Sequence, residues 1–138
     1  MNCTAIGPTG WAMFRIEYDR QANCLHIHVA GFWQPDDIPK FSDALEAKAL
    51  EARAVSKSYS AIIYSGDFPV QANDVADMLT GVMARCIGLT DGLVAVVVAS
   101  LLNKMQVERT LVHPRVKPFL TEAEALDWLA SAKRGAGS

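Results

Sequence analysis

The sequence predicts a single α/β domain: a mixed β-sheet of about five strands flanked by four helices. Its 138 residues are enough for one domain. Hydrophobic residues make up 51% of the chain and charged residues 20%, which is typical of a globular protein with one core. After two strand-like segments, strand and helix patterns alternate to the end of the chain, and this alternation is typical of a largely parallel sheet.

The first two strands are predicted to form a hairpin, which makes the sheet mixed. Apolar and polar residues alternate over 14–18 and again over 24–29, with the period of half-buried strands. The segment between them, 19–23, is rich in residues that favour turns. We therefore expect a flexible lead-in over 1–12, a domain over 13–131 and a flexible tail over 132–138.

The remaining elements are predicted from periodicity and from residues that start or stop helices. They are helix 37–52, strand 61–65, helix 73–86, strand 93–99, helix 100–112, strand 116–120 and a helix after 121. Asn73 or Asp74 is the expected cap of the second helix, Ser100 of the third and Thr121 of the fourth. Pro118 predicts an edge position for the last strand, because proline donates no ladder hydrogen bond.

Composition argues against several classes of function. The formal net charge is −2, without a basic block, so nucleic acid is not an expected partner. The longest apolar run, 93–99, is far shorter than the roughly 20 residues that cross a bilayer, and residues 1–10 lack a secretory pattern. Three widely spaced cysteines suggest reduced thiols rather than a disulfide framework. We expect a cytoplasmic protein without a membrane segment.

Three stretches resemble the STAS-like (SpoIIAA-like) family of stand-alone bacterial proteins. They are 29–33 (VAGFW) at the end of the hairpin, 93–106 with its valine-rich strand, and 115–129 with the closing strand and helix. The resemblance covers about residues 13 to 131. These are packing and capping motifs, so they bear on the fold more directly than on function.

The resemblance implies a module that binds other proteins. In the anti-sigma-factor antagonists of this family, a kinase phosphorylates a serine at the start of the helix after the third strand. A phosphate there is stabilised by the exposed N–H groups and the dipole of the helix. The matching positions here are Ala72 and Asn73, neither of which carries a hydroxyl. We therefore predict an interaction module without a phospho-switch serine at this position.

The candidate partner-binding residues lie around the end of one predicted strand and after the hairpin. They are Ser65, Gly66, Asp67, Phe68, Asn73, Asp74 and Trp33. Exposed aromatic side chains anchor many interfaces, which is why Trp33 belongs to this set. The competing interpretations are an ordinary strand-to-helix loop capped by Asn73, and a Trp33 ring folded against the first helix.

The second predicted helix carries a broad apolar face formed by Met78, Val82, Met83 and Ile87. Methionine side chains adapt to irregular apolar partners. The face could form a homodimer interface or hold a small apolar or lipid-like ligand. The alternative is that the helix is simply packed in the core.

His26 and His28 are the weak candidates for metal ligands. Strand alternation puts both imidazoles on one face, about 6 to 7 Å apart. A third ligand would have to come from His113, Cys24 or an acidic residue that the sequence does not identify. No nucleophile elbow, phosphate-binding loop or paired-cysteine motif occurs. We therefore expect no catalytic residue and no cofactor. The leading hypothesis is a regulatory module that binds another protein or itself, and the alternative is a carrier or sensor of a small apolar ligand.

Overall fold

A computed structural model describes residues 3–6, 10, 12–110 and 113–136. Within these residues, six strands form one sheet. The strands are β1 Cys3–Ile6, β2 Met13–Asp19, β3 Cys24–Ala30, β4 Ser60–Asp67, β5 Val94–Val97 and β6 Val116–Phe119. The helices are a short 3₁₀ helix, Pro35–Asp37, followed by α1 Ile38–Val55, α2 Asn73–Ile87, α3 Leu101–Thr110 and α4 Glu122–Ala136.

The order of the strands in the sheet is their order in the chain. β1, β2 and β3 are antiparallel to one another, and β3 to β6 run parallel. The predicted mixed α/β sheet with four helices is thus confirmed. The sheet has one strand more than the five expected, because the backbone of Cys3–Ile6 pairs with β2 inside the predicted lead-in. A four-residue strand is too short to show a clear alternation of apolar and polar residues.

Two hydrophobic clusters lie on opposite faces of the sheet. The larger one joins β2, β3, β4 and β5 to α1 and α2, and the smaller one joins β4, β5 and β6 to α4. In β4, Ala61 and Ile63 belong to the first cluster and Ile62 to the second. Strands that are covered on both faces read as continuous apolar runs, which accounts for the sequence of β4 and β5.

Most predicted helix starts are confirmed. The Ser100 hydroxyl oxygen accepts a hydrogen bond from the Asn103 N–H (3.2 Å), and the Thr121 hydroxyl oxygen accepts one from the Glu124 N–H (3.2 Å). The predicted cap of α2 is wrong, because the cap residue is Ala72 and both candidates lie inside the first turn. Residues 111–112, at the predicted end of the third helix, lie outside the described residues.

β6 is an edge strand, as Pro118 predicts, because among the described residues it pairs with β5 alone. β4 is longer than predicted and includes Gly66 and Asp67. Backbone pairing extends it, since Asp67 lies opposite Ala30 of β3 and its carbonyl accepts a hydrogen bond from the Gly31 N–H (3.2 Å). None of the helices in the described ranges is long and apolar enough to cross a membrane.

Candidate functional site

The loops after β3 and β4 meet at the carboxyl edge of the sheet and are held together by Gln71. The Gln71 Oε1 atom accepts a hydrogen bond from the Trp33 N–H (2.7 Å). Its Nε2 atom donates to the carbonyl oxygens of Gly31 (3.0 Å) and Pro69 (2.8 Å). One side chain therefore fixes two loops that lie about 40 residues apart in the chain. We call these three hydrogen bonds the Gln71 clamp.

Trp33 lies beneath the clamp and belongs to the core. Its side chain is 0% exposed, and its ring packs edge-on against Phe41 (centroids 4.9 Å apart) and Phe68 (5.4 Å). The indole Nε1–H donates to the Ala30 carbonyl (2.8 Å), so its polar group is satisfied internally. The prediction that Trp33 contacts a partner is therefore wrong. The chain turns inward after Phe32 because this ring fills the space between the sheet and α1.

The surface above the clamp is apolar and exposed. Phe32 is 43% exposed and Val70 60% exposed, and Pro69, in the loop after β4, is also exposed. The Trp33 N–H is hydrogen-bonded to the Gln71 side chain. Phe32 directly precedes Trp33 and Val70 directly precedes Gln71, so Phe32 and Val70 flank this hydrogen bond. We call the surface of Phe32, Pro69 and Val70 the edge platform.

The predicted partner-binding residues divide into two groups around this platform. Gly66, Asp67, Asn73 and Asp74 are exposed, whereas Ser65 and Phe68 are half-buried. The Ser65 hydroxyl donates to the Val97 carbonyl (2.7 Å), so it ties β4 to β5. Phe68 is held against Trp33. A binding role for the exposed residues stays a prediction.

The predicted apolar face of α2 does not exist as one surface. Val82 (4% exposed) and Ile87 (8%) are buried in the larger core, Met83 is half-buried, and only Met78, at 39%, is exposed. The four side chains spread over more than one side of the helix, and those nearest the sheet and α1 are covered. The prediction of a single ligand or dimer face on these residues is therefore wrong.

The cavities beside α2 are small. One, lined in part by Met83 and Ile87, has a volume of about 20 Å³, which is room for about one water molecule. The other lies between α1 and α2, next to Ser42 and Arg85, and measures about 80 Å³. Sites for drug-sized ligands measure about 300 to 1,000 Å³. Neither cavity accommodates a lipid-like molecule.

A second cluster of polar side chains lies on the opposite face of the sheet from α1 and α2. We call it the histidine face; it consists of Arg15 and Glu17 on β2, His26 and His28 on β3, and Tyr64 on β4. The Arg15 guanidinium lies 2.7 Å from the Glu17 carboxylate and 3.2 Å from Nε2 of His28. The Tyr64 ring stacks on His28 at 4.2 Å, and its hydroxyl lies 2.9 Å from Nδ1 of His26.

The contact with Arg15 favours the neutral form of His28. A guanidinium only donates hydrogen bonds, so a hydrogen bond from Arg15 to Nε2 of His28 requires a neutral ring that carries its proton on Nδ1. Burial lowers the pKa of His28, and the positive charge of Arg15 lowers it further. Burial raises the pKa of Tyr64, and the nearby Glu122 carboxylate at the start of α4 adds to this effect.

The two histidines thus lie beside Tyr64 and Arg15 rather than beside further ligands. Across the described ranges, no three His, Cys, Asp or Glu side chains are arranged to hold a metal ion. Cys86, on α2, is also a poor nucleophile, because burial raises its pKa to about 11 and the thiolate is the reactive form.

Comparison with solved structures establishes the fold. A crystal structure of an uncharacterized protein of the DUF3478 family from Shewanella loihica, described as having a SpoIIAA-like fold, matches with a TM-score of 0.61 at 18% identity. The match covers 94% of this chain and 95% of that one. The chain has a SpoIIAA-like fold.

An anti-sigma factor antagonist from Mycobacterium paratuberculosis matches over the same shares of the two chains, with a TM-score of 0.58 at 12% identity. No family model matches the sequence, and no curated protein matches it either. The structural matches therefore confirm the SpoIIAA-like fold that the packing and capping motifs predicted. The sequence identities of 18% and 12% are too low to establish this fold by sequence comparison alone.

Gln71 is the site residue that sequence reasoning missed. A glutamine in a polar loop has no periodic pattern or motif, and its partners lie 38 and 40 residues away. The sequence did indicate the loop itself, through the break at Gly66 to Pro69. It also singled out Trp33 in the VAGFW stretch, but it did not predict that this ring is buried while the neighbouring Phe32 is exposed.

Proposed function

We propose that this chain is a non-catalytic regulatory module that binds another protein through the edge platform and the adjoining start of α2. The observation that carries the proposal is the exposure of Phe32 and Val70 above the Gln71 clamp. Apolar side chains on a preorganised surface bind at a low entropic cost, because few groups must be ordered. The fold is shared with a protein described as an anti-sigma factor antagonist, which supports a role in protein binding.

The other features of the chain agree with a binding role in the cytoplasm. Cys86 is a thiol outside any disulfide, which suits a reducing compartment. The polar groups of the histidine face are bonded to one another instead of converging on an empty space. The carrier alternative is not favoured by the two cavities beside α2, which measure about 20 and 80 Å³ against the roughly 300 to 1,000 Å³ of sites for drug-sized ligands.

Site-specific photocrosslinking in cells tests this proposal. A benzophenone amino acid at position 70 is compared with the same amino acid at position 50, where Leu50 is 50% exposed on α1. We expect one recurrent protein product from position 70 and none from position 50. Identical product patterns from the two positions, or none from position 70, would refute binding at this edge. Native mass spectrometry of the product distinguishes a second copy of the chain from another protein.

A further inference from the structure

We infer that the partner segment on the edge platform carries a large apolar side chain flanked by lysine or arginine. This inference rests on the proposed function and adds the chemistry of the partner. It follows from an apolar surface of fixed shape, from the acidic residues around it, and from the absence of basic residues in both chain segments that build it.

The apolar part of the surface is small, because it consists of three exposed side chains, Phe32, Pro69 and Val70. Phe32 and Val70 directly precede the two residues that the clamp joins, and half-buried Phe68 packs against the Trp33 ring. The clamp uses both donors and one acceptor position of the Gln71 amide, so both loops are fixed before binding. An anchor residue in a small, rigid apolar site is typical of interface hot spots.

The two chain segments that build the platform carry acidic but no basic side chains. No lysine or arginine occurs in residues 21–39, which form β3 and the loop after it, or in residues 58–84, which form β4, the next loop and most of α2. The same segments contain four exposed carboxylates, Asp36, Asp67, Asp74 and Asp77.

Three of these acidic residues, Asp36, Asp67 and Asp74, belong to elements that adjoin the platform. The Asp67 carbonyl is hydrogen-bonded to Gly31, next to Phe32. Asp74 lies in the first turn of α2, and Asp36 in the 3₁₀ helix, which packs against α2. Of the basic residues that bound the two segments, Arg20 and Lys57 lie in turns, and Lys40 and Arg85 lie on α1 and α2. Arg85 donates a hydrogen bond to the Ser42 hydroxyl on α1 (2.8 Å). A partner with basic side chains is therefore electrostatically complementary to this surface.

The same charges argue against a second copy of the chain as the occupant. In a twofold dimer, each surface meets its own equivalent. Two acidic rims would then face each other, and like charges across an interface are unfavourable. Self-association through the platform is thus an outcome that would contradict the inference.

The test uses nuclear magnetic resonance of the ¹⁵N-labelled full chain with synthetic 12-residue peptides. The first peptide contains one phenylalanine flanked by four lysines; the second replaces the lysines with glutamates, and the third replaces the phenylalanine with serine. We expect only the first peptide to shift the amide signals of residues 31–34 and 66–77, and raising the salt concentration should weaken its binding. The absence of shifts at millimolar peptide, equal binding of the glutamate peptide, or shifts elsewhere in the chain would overturn the inference.

A matched pair of charge variants locates the effect. Asp67→Asn combined with Asp74→Asn should weaken binding of the lysine peptide by about tenfold, through the loss of two charges beside the site. Glu108→Gln combined with Asp127→Asn removes the same charge from exposed positions on α3 and α4 and should change binding less than about twofold. Equal weakening by both pairs would mean a non-specific effect of net charge and would contradict the inference.

The two proposals fail in different ways. Suppose the photocrosslink at position 70 captures one protein, and Asp67→Asn with Asp74→Asn leaves its yield unchanged. The partner would then bind at the platform without basic contacts, so the proposed function would stand and the inferred chemistry would be wrong. If position 70 captures nothing, the proposed function itself fails.

Discussion

The edge platform and the histidine face are built in opposite ways. In the histidine face, each side chain has its position from strand alternation, because Arg15 lies directly opposite His28 and Glu17 directly opposite His26 in the β2–β3 ladder. In the edge platform, two loops are joined by the side chain of Gln71 over a buried Trp33. The first arrangement follows from local register, whereas the second needs the folded core beneath it.

The two regions also differ in what they offer to a ligand. The polar atoms of the histidine face bond mainly to one another, so a new partner there would have to displace existing contacts. In the platform, by contrast, Phe32 is 43% exposed and Val70 60% exposed among the residues that the structure describes. Exposed apolar surface on a rigid base is the feature that favours binding, and for this reason we assign the binding role to the platform.

The largest effect is expected at Trp33. Replacing it with alanine should lower the free energy of unfolding by about 3 to 5 kcal/mol, because a fully buried aromatic ring is lost from the core. Urea unfolding followed by circular dichroism measures this change. Phe32→Ala is the matched control, and its cost should stay below about 1 kcal/mol because the ring is exposed. Similar costs for both variants would contradict the assignment of one ring to the core and the other to the surface.

A smaller effect is expected from removing the clamp. Gln71→Ala should cost about 1 to 3 kcal/mol, because it removes three hydrogen bonds and leaves the Trp33 N–H without its partner. Hydrogen exchange should show faster exchange at the Trp33 amide, while Gln21→Ala, in the exposed turn between β2 and β3, should leave it unchanged. If exchange at Trp33 does not change in Gln71→Ala, the two loops are held by other contacts and the platform is not preorganised by this residue.

The smallest effect concerns the protonation of His28. The pKa of His28 is lowered in the folded protein from the ordinary histidine value of about 6.5. When the pH falls below about 6.5, His28 therefore binds fewer protons in the folded state than in the unfolded state. The stability that neutral His28 contributes is complete above that pH and is lost as the pH falls through the lowered pKa. Acidification should therefore weaken the histidine face.

Arg15→Ala isolates the electrostatic part of this effect. Removing the guanidinium should raise the pKa of His28 towards its ordinary value, while burial of the ring still opposes protonation. A titration of the imidazole signals by nuclear magnetic resonance measures the shift. Arg20→Ala, which removes an exposed arginine from the neighbouring turn, is the control. An unchanged pKa in Arg15→Ala would show that the Arg15–His28 contact does not form in solution.

Sequence reasoning was most successful where periodicity and local capping control the structure. The alternation over 14–18 and 24–29 predicts the hairpin, and it also predicts that His26 and His28 share one face of the sheet. Ser100 and Thr121 start their helices as expected, because a cap depends only on residues within one turn. The edge position of β6 follows from the missing N–H of Pro118.

The wrong predictions concern features that depend on packing between segments distant in the chain. Asn73 and Asp74 are good capping residues, yet the cap of α2 is Ala72. Ala72 directly follows Gln71, whose side chain holds the preceding loop in place. Val82 and Ile87 are buried while Met78 is exposed, because the position of α2 against α1 and the sheet selects which side of the helix is covered.

The sequence by itself determined the class of fold, the order of the elements from Met13 onwards and the polar composition of the histidine face, since all of these depend on interactions between residues close in the chain. Only the tertiary structure decided that Phe32 is exposed while Trp33 is buried, and that Gln71 joins two loops. These features arise from packing between segments some 40 residues apart. Local patterns contain no information about such contacts, because the same polar loop sequence is compatible with many positions until the core fixes one of them.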